Sequence, residues 1–179
     1  MNKAEIRQVI REQKRTHTAE ELAALSRQVI ECLTNDERWK EAKTVLLYHS
    51  LPDEVATHDL ILQADAVGKR VLLPVVVGDD LELRLFCRKE ALREGAFHIL
   101  EPEGSTFTDY AAIDVAVIPG VAFTAEGNRL GRGKGYYDRL LSRLPHVYKI
   151  GICWPFQLVK ELPTEVHDVR MDAVITAEE

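Results

Sequence analysis

Residues 115–144 read VAVIPGVAFTAEGNRLGRGKGYYDRLLSRL, and this stretch decides the fold class. Val115 to Ile118 is wholly apolar and is stopped by Pro119-Gly120. Such a short apolar run, bounded by turn residues, predicts a strand buried on both faces. Tyr136 to Leu144 contains neither Gly nor Pro, and Leu140, Leu141 and Leu144 fall on one helical face. That spacing predicts a helix. Between strand and helix lies a segment rich in glycine and cations. Strand, loop and helix in this order indicate an α/β domain with a mostly parallel sheet.

The rest of the chain repeats the alternation. Residues 3–15 are helix formers, and Thr18 with Glu21 three residues later announces a second helix, with Leu22, Leu25, Val29, Ile30 and Leu33 inward. Val45 to Tyr48 reads as a buried strand, and Thr57 as the cap of a helix running through Ala66 and closed by Gly68. Val71 to Val77 is a second buried run, broken by Pro74. The turn Gly78-Asp79-Asp80 leads into Leu81, Leu83 and Leu85, a strand with one wet face. Within 87–113, Pro102 and Gly104 indicate loops; Lys149–Cys153 and Ala173–Thr176 close the chain as strands. Residues 1–179 form one domain on this reading, without repeat or linker.

Composition narrows the function. A net charge of −6 argues against binding nucleic acid along its backbone, so a local basic cluster points to a small anionic ligand. Cys32, Cys87 and Cys153 form no CxxC pair and read as buried free thiols of a reducing compartment. The charged N-terminus lacks the apolar core of a signal peptide, and no apolar run reaches the ~20 residues of a membrane span. The expectation is a cytoplasmic protein with no membrane partner.

The chemistry concentrates in residues 127–138, GNRLGRGKGYYD. Gly131, Gly133 and Gly135 alternate, which lets backbone amides approach an anion without Cβ obstruction. Arg129, Arg132 and Lys134 add three positive charges, and Asp138 just inside the helix suits Mg²⁺ bridging phosphate oxygens. Neither the Walker A pattern nor GxGxxG fits, because Gly135 follows Lys134 and Tyr136 occupies the third glycine position. The bland reading is a flexible turn with solvated charges. Against it stands the loop's place after a buried strand, where phosphate sites form in α/β folds.

Three further clusters carry weight. Lys3, Arg7, Arg11 and Arg15 are spaced by four and share a helical face, either a solvated stripe or a second source of cations. Tyr48 to Thr57 follows a predicted parallel strand, and its Glu54 is either an exposed carboxylate or an acceptor for an amino-heterocycle. His167, Asp168 and Asp172 precede the last strand as turn residues, with Asp168 able to join Asp138 at a metal.

Together these segments resemble the 5-formyltetrahydrofolate cyclo-ligase family. The likeness rests on Lys3 and Arg7, the Tyr48–Thr57 segment, Gly68-Lys69 with Leu73-Pro74, Glu101-Pro102, Pro119-Gly120, Phe123 through Leu140, and His167-Asp168. The resemblance implies a three-layer α/β/α sandwich that uses ATP and Mg²⁺ to close 5-formyltetrahydrofolate into the 5,10-methenyl compound; with no evident exposed apolar seam in the sequence, a monomer is expected. It implies that Lys3 and Arg7 contact ATP. Arg129, Leu130, Gly131, Arg132, Gly133, Lys134, Gly135, Tyr136 and Tyr137 would wrap its phosphates. His49 and Glu54 would line the pterin pocket, which the loop from Arg132 to Tyr136 also reaches. Asp138 and Asp168 would hold Mg²⁺, and Arg132, Lys134 and Tyr136 would serve catalysis. Two rival readings fit the same α/β core: an isomerase or CoA-transferase relative that needs no ATP, and a folate-binding module without turnover.

Overall fold

The computed structural model describes residues 1–88 and 92–178. Helices α1 (Lys3–Arg15), α2 (Ala19–Thr34) and α3 (Glu37–Glu41) precede β1 (Thr44–Leu46) and α4 (His58–Ala66). Strands β2 (Arg70–Val77) and β3 (Asp80–Leu85) follow, then a hairpin of β4 (Leu92–Glu94) and β5 (Leu100–Pro102), and β6 (Thr106–Phe107). The remainder is β7 (Val115–Ile118), a hairpin of β8 (Ala122–Phe123) and β9 (Arg129–Leu130), α5 (Tyr136–Ser142), β10 (Tyr148–Ile152) and β11 (Ala173–Ile175).

Among the described residues, seven strands form one sheet in the order β11-β10-β7-β1-β2-β3-β6. The pairings from β11 to β2 are parallel, and β3 and β6 add an antiparallel edge. Successive strand residues point to opposite faces, and here both faces are covered. Val45, Leu47, Val71, Leu73, Val115, Val117, Ile150 and Ile152 pack with residues of α2, α3 and α4, including Leu33, Trp39 and Leu60. Leu46, Leu72, Ala116 and Ile118 pack with Leu140, Leu141 and Leu144 on the other side. The result is the expected three-layer α/β/α sandwich, and it explains why the strands read as unbroken apolar runs. Burying a side chain such as Leu46 or Leu72, each 0% exposed, contributes roughly 1.5–3 kcal/mol.

The connections create a crevice. From β1 the chain crosses through α4 to β2, while from β7 it crosses through α5 to β10 on the opposite side and opposite face. Neighbouring strands β1 and β7 therefore flank a switch point, and ligands in open α/β sheets bind outside the carboxyl ends at such a point. The loop after β1 carries residues 47–57, and the loop after β7 carries the glycine-rich segment.

Several local expectations change. Strand β1 ends at Leu46 instead of Tyr48, although the Leu47 N–H still donates to the Leu72 carbonyl at 2.9 Å. Pro74 does not break β2. Beyond Leu72 the β1 partner has ended, so the missing N–H falls on an unpaired side, and there the Val76 N–H donates to Glu101 at 2.9 Å. Pro102 lies in a short strand opposite Leu92 instead of a loop. Helix α5 stops at Ser142, because Leu144 precedes Pro145 and that position disfavours helical backbone.

Thr57 stands at the start of α4 without capping it. Its hydroxyl donates to the Tyr48 carbonyl and accepts from the Ser50 N–H, which pins the loop after β1. Thr18 accepts from the Glu21 N–H at 3.1 Å, but the full reciprocal capping box forms at α1, between Asn2 and Glu5. Of the three thiols only Cys153 is buried; Cys32 is exposed and Cys87 intermediate.

Candidate active site at the switch point

The glycine-rich segment has a fixed root. Its hairpin closes through Val121 N–H to Leu130 carbonyl at 2.7 Å, and the turn through Asn128 N–H to the Thr124 hydroxyl at 3.1 Å. Gly127, with φ 99, passes so close to Met171 that a Cβ would lie 2.2 Å from the Met171 carbonyl oxygen. The Met171 N–H donates back to the Gly127 carbonyl at 2.8 Å. Arg129 donates from Nε to the Pro119 carbonyl at 2.7 Å and lies 5.1 Å from the centre of the Tyr137 ring. Burial lowers the Arg129 pKa and Asp138 opposes the shift, so a partly buried cation underlies the loop.

Beyond Leu130 the loop is exposed, and α1 reaches it. Arg7 donates from Nε to the Gly131 carbonyl at 2.9 Å, and its guanidinium lies 3.7 Å from where a Cβ on Gly133 would sit. The two basic features of the sequence therefore meet in space. The stripe on α1 nevertheless divides. Lys3 pairs with Glu165 at 3.3 Å and Asp168 at 3.8 Å, Arg11 bonds to Gln8, and Arg15 is exposed.

Between α1, the loop after β1 and the glycine-rich loop lies a cleft with about 170 Å³ of open volume. Arg7, Ile10, Arg11, Lys14, Asp53, Val121 and Arg132 line it, which sets four cations against one carboxylate. Sequence reasoning missed Lys14 and Asp53. The signal for Lys14 was available, because residues 7, 11 and 14 share a face as i, i+4 and i+7. Asp53 bridges two of the cations: Oδ1 accepts from Arg132 at 2.9 Å and Oδ2 lies 3.4 Å from Lys14 Nζ. Burial works to raise the Asp53 pKa, but the two cations outweigh it and hold the carboxyl below its ordinary value. Burial also lowers the Lys14 pKa, with Asp53 opposing.

Glu54 is no exposed carboxylate; its side chain is 13% exposed. One oxygen accepts from the Leu51 N–H at 2.8 Å, while the other lies 3.7 Å from Arg132. Burial raises its pKa. The His49 ring stacks on His58 at 3.8 Å, and burial, helped by His58, lowers its pKa to about 4. His49 is therefore neutral near pH 7.

Asp138, in the first turn of α5, accepts from the Val169 N–H at 3.1 Å, one residue past Asp168. Asp168 accepts from the Glu165 N–H at 2.8 Å and clusters with Glu165 and His167, the donor atoms of the three lying within 4.8 Å of one another. That cluster includes Asp168 but not Asp138. Tyr136 meets the Gly78 carbonyl at 3.4 Å and faces Phe97 edge-on at 6.3 Å, a contact from the β4–β5 hairpin that the sequence did not suggest. Tyr137 is held protonated by burial and by Glu54. Lys134 is exposed and Gly135 begins α5 with φ 72.

A profile of the 5-formyltetrahydrofolate cyclo-ligase family matches residues 1–177, a span that contains every wall of the cleft. The chain belongs to that family. The 5-formyltetrahydrofolate cyclo-ligase of Escherichia coli is 33% identical over 177 residues, covering 94% of this chain and 96% of the relative. A probable 5-formyltetrahydrofolate cyclo-ligase of Schizosaccharomyces pombe is 34% identical over 158 residues, 78% of each chain. The NMR structure of Aquifex aeolicus 5,10-methenyltetrahydrofolate synthetase superposes with a TM-score of 0.86 at 36% identity, covering 98% of this chain and 90% of that one. The Mycoplasma pneumoniae synthetase gives 0.80 at 27% identity, covering 99% and 100%. The protein is accordingly an enzyme of the cyclo-ligase family, and no helix among its described residues is long and apolar enough to cross a membrane.

Proposed function

We propose that this protein converts 5-formyltetrahydrofolate to 5,10-methenyltetrahydrofolate, with ATP, taken up as its Mg²⁺ complex, consumed and ADP and phosphate released. The observation that carries the reading is the cleft in which four cations from α1 and the glycine-rich loop converge at the switch point. Family membership supplies the substrate class.

The N5-formyl group is an amide, so its carbon is a weak electrophile and its oxygen a poor leaving group. Transfer of the γ-phosphoryl group from ATP to that oxygen breaks the bond to ADP and activates the carbon. N10 then attacks and loses its proton, the carbon–oxygen bond breaks, and phosphate leaves as the methenyl bridge forms. The protein's part is to position the two substrates and to neutralise the moving phosphoryl charge.

In this assignment Lys3, Arg7 and the loop from Arg129 to Tyr137 hold the nucleotide. Arg132, Lys134 and Tyr136 are the groups closest to the chemistry. His49 and Glu54 form the pterin side, with the neutral imidazole offering an uncharged face. Tyr137 stays protonated and acts as a donor. Asp138 and Asp168 fit Mg²⁺ in donor chemistry, since each is a hard oxygen donor with one oxygen outside its backbone bond. Lys3, 3.8 Å from Asp168, favours an ion that arrives already paired with phosphates. When bound, the ion would neutralise phosphate charge. We read the protein as a cytoplasmic monomer acting on small molecules, with neither nucleic acid nor membrane as partner.

The test is to incubate pure protein with 5-formyltetrahydrofolate, ATP and Mg²⁺ and follow methenyl absorbance together with ADP. Both should rise in step. Turnover without ATP would sink the nucleotide assignment, and full turnover in chelator would remove the metal.

A further inference from the structure

Among the described residues, Asp53 is the one carboxylate lining a cleft that Arg7, Arg11, Lys14 and Arg132 also line, together with Ile10 and Val121. It reaches across that cleft from the loop after β1, and its two oxygens meet cations from two different elements. Arg132 of the glycine-rich loop donates to Oδ1 at 2.9 Å, and Lys14 of α1 approaches Oδ2 at 3.4 Å. The bridge involves Arg132 in the exposed part of the loop, which the bond from Arg7 to the Gly131 carbonyl also ties to the body.

This placement has a physical consequence. A cation already engaged by a resident carboxylate is less available to an incoming anion, whose binding must displace that carboxylate. The Arg132 side chain is 50% exposed and Asp53 48%, so that ion pair is worth little and exchange is easy; Lys14, 15% exposed, meets the same half-exposed carboxylate at the longer 3.4 Å. Glu54 is the weaker partner of Arg132, because one of its oxygens is committed to the Leu51 N–H and the other stands 3.7 Å from Arg132, against 2.9 Å for Asp53.

We propose that Asp53 is a resident counter-anion for Arg132 and Lys14 that gives them up to the phosphate groups of the ligand and recaptures them as the ligand leaves. Asp53 is thus a positioning residue that sets anion affinity, acting through Arg132 and Lys14. The inference rests on reading the cleft as the nucleotide site. The depressed Asp53 pKa and the opposition of Asp53 to the burial of Lys14 agree with a charge held between two cations.

Asp53→Asn provides the test, with inorganic tripolyphosphate as probe and calorimetry as readout on the full chain. Removing the competing charge should tighten binding by about two- to thirtyfold, the range two weak ion pairs can supply. In steady-state turnover the KM for ATP and kcat should fall together, because the ligand binds without a competing carboxylate and leaves more slowly without one to recapture the cations. Asp53→Glu should restore values near the parent's, which a merely structural role would not require. Unchanged or weakened tripolyphosphate binding in Asp53→Asn would overturn the proposal.

If Asp53→Asn fails to fold, the parent still decides the question. Saturating tripolyphosphate should raise the Asp53 carboxyl pKa measured by carbon NMR, and an unmoved value would overturn the proposal. A protein that makes no methenyl product yet shows this anion response would sink only the cyclo-ligase assignment. Normal turnover without the response would sink only the role of Asp53.

Discussion

The glycine-rich segment contains two regions that look alike in sequence and differ in physics. At its root, Gly127 lies against backbone: a Cβ would come within 2.2 Å of the Met171 carbonyl oxygen, and φ is 99. At its tip, Gly133 has φ 111, yet the nearest atoms to a Cβ are the Arg7 guanidinium at 3.7 Å, an ordinary contact. The root glycine is demanded by packing between the β8–β9 turn and the chain before β11. The tip glycine is demanded by backbone conformation and by what must approach it. One segment thus serves packing at one end and, in the function proposed above, ligand binding at the other.

The comparison can be broken by changing both glycines to valine. Gly133→Val should lower turnover by about 10²–10³-fold or more, since misplaced donors cost that much. Its melting temperature without ligand should fall by about 2–12 °C, the effect of one strained backbone position in a chain of this size. ATP should no longer raise that temperature. Gly127→Val should do the reverse in emphasis and cost about 4 kcal/mol of stability or prevent folding, because neither backbone segment can retreat. Equal behaviour of the two variants in thermal melts would erase the distinction between root and tip.

Smaller changes sharpen it. Arg7→Ala removes a cation that already touches the tip, and nucleotide affinity should fall about ten- to a hundredfold while folate affinity holds. Calorimetry with each ligand separates the two, and unchanged nucleotide affinity would return Arg7 to a solvated face. Glu54→Gln should weaken folate binding by about tenfold and ATP binding less. Its amide can keep the bond to Leu51 but presents a donor where a carboxylate oxygen stood. Equal affinity for folate would place the pterin elsewhere.

The smallest effect concerns pH. The folded protein holds the His49 pKa near 4, below its ordinary 6.5, so the unfolded chain binds more protons between those values. The stability associated with neutral His49 is complete above pH 6.5 and is lost as pH falls towards 4. His49→Gln should flatten that part of the stability–pH curve, measured by denaturant melts. A slope unchanged from the parent would show that His49 titrates normally.

The runs Val45–Tyr48, Val71–Val77 and Val115–Ile118 were legible as strands because burial on both faces over most of their length leaves no polar alternation. The glycine-rich loop was legible because its glycines and cations are contiguous. Both signals live in near neighbours along the chain, where backbone preference and side-chain period act. The ends of elements were less so. The stop of α5 was readable from Pro145, but the survival of β2 through Pro74 depended on where β1 happens to end.

What only the tertiary structure decided are the partnerships. That Lys3 turns to Glu165 while Arg7 turns to Gly131 is invisible in their even spacing, because it depends on which segments cross the two ends of α1. The bridge from Asp53 to Arg132 joins residues 79 positions apart. Sequence fixes the charge each residue carries and the local path of its backbone. Which charges come within 3 Å of each other is set by the strand order, and that order is settled by burying both faces of the sheet at once.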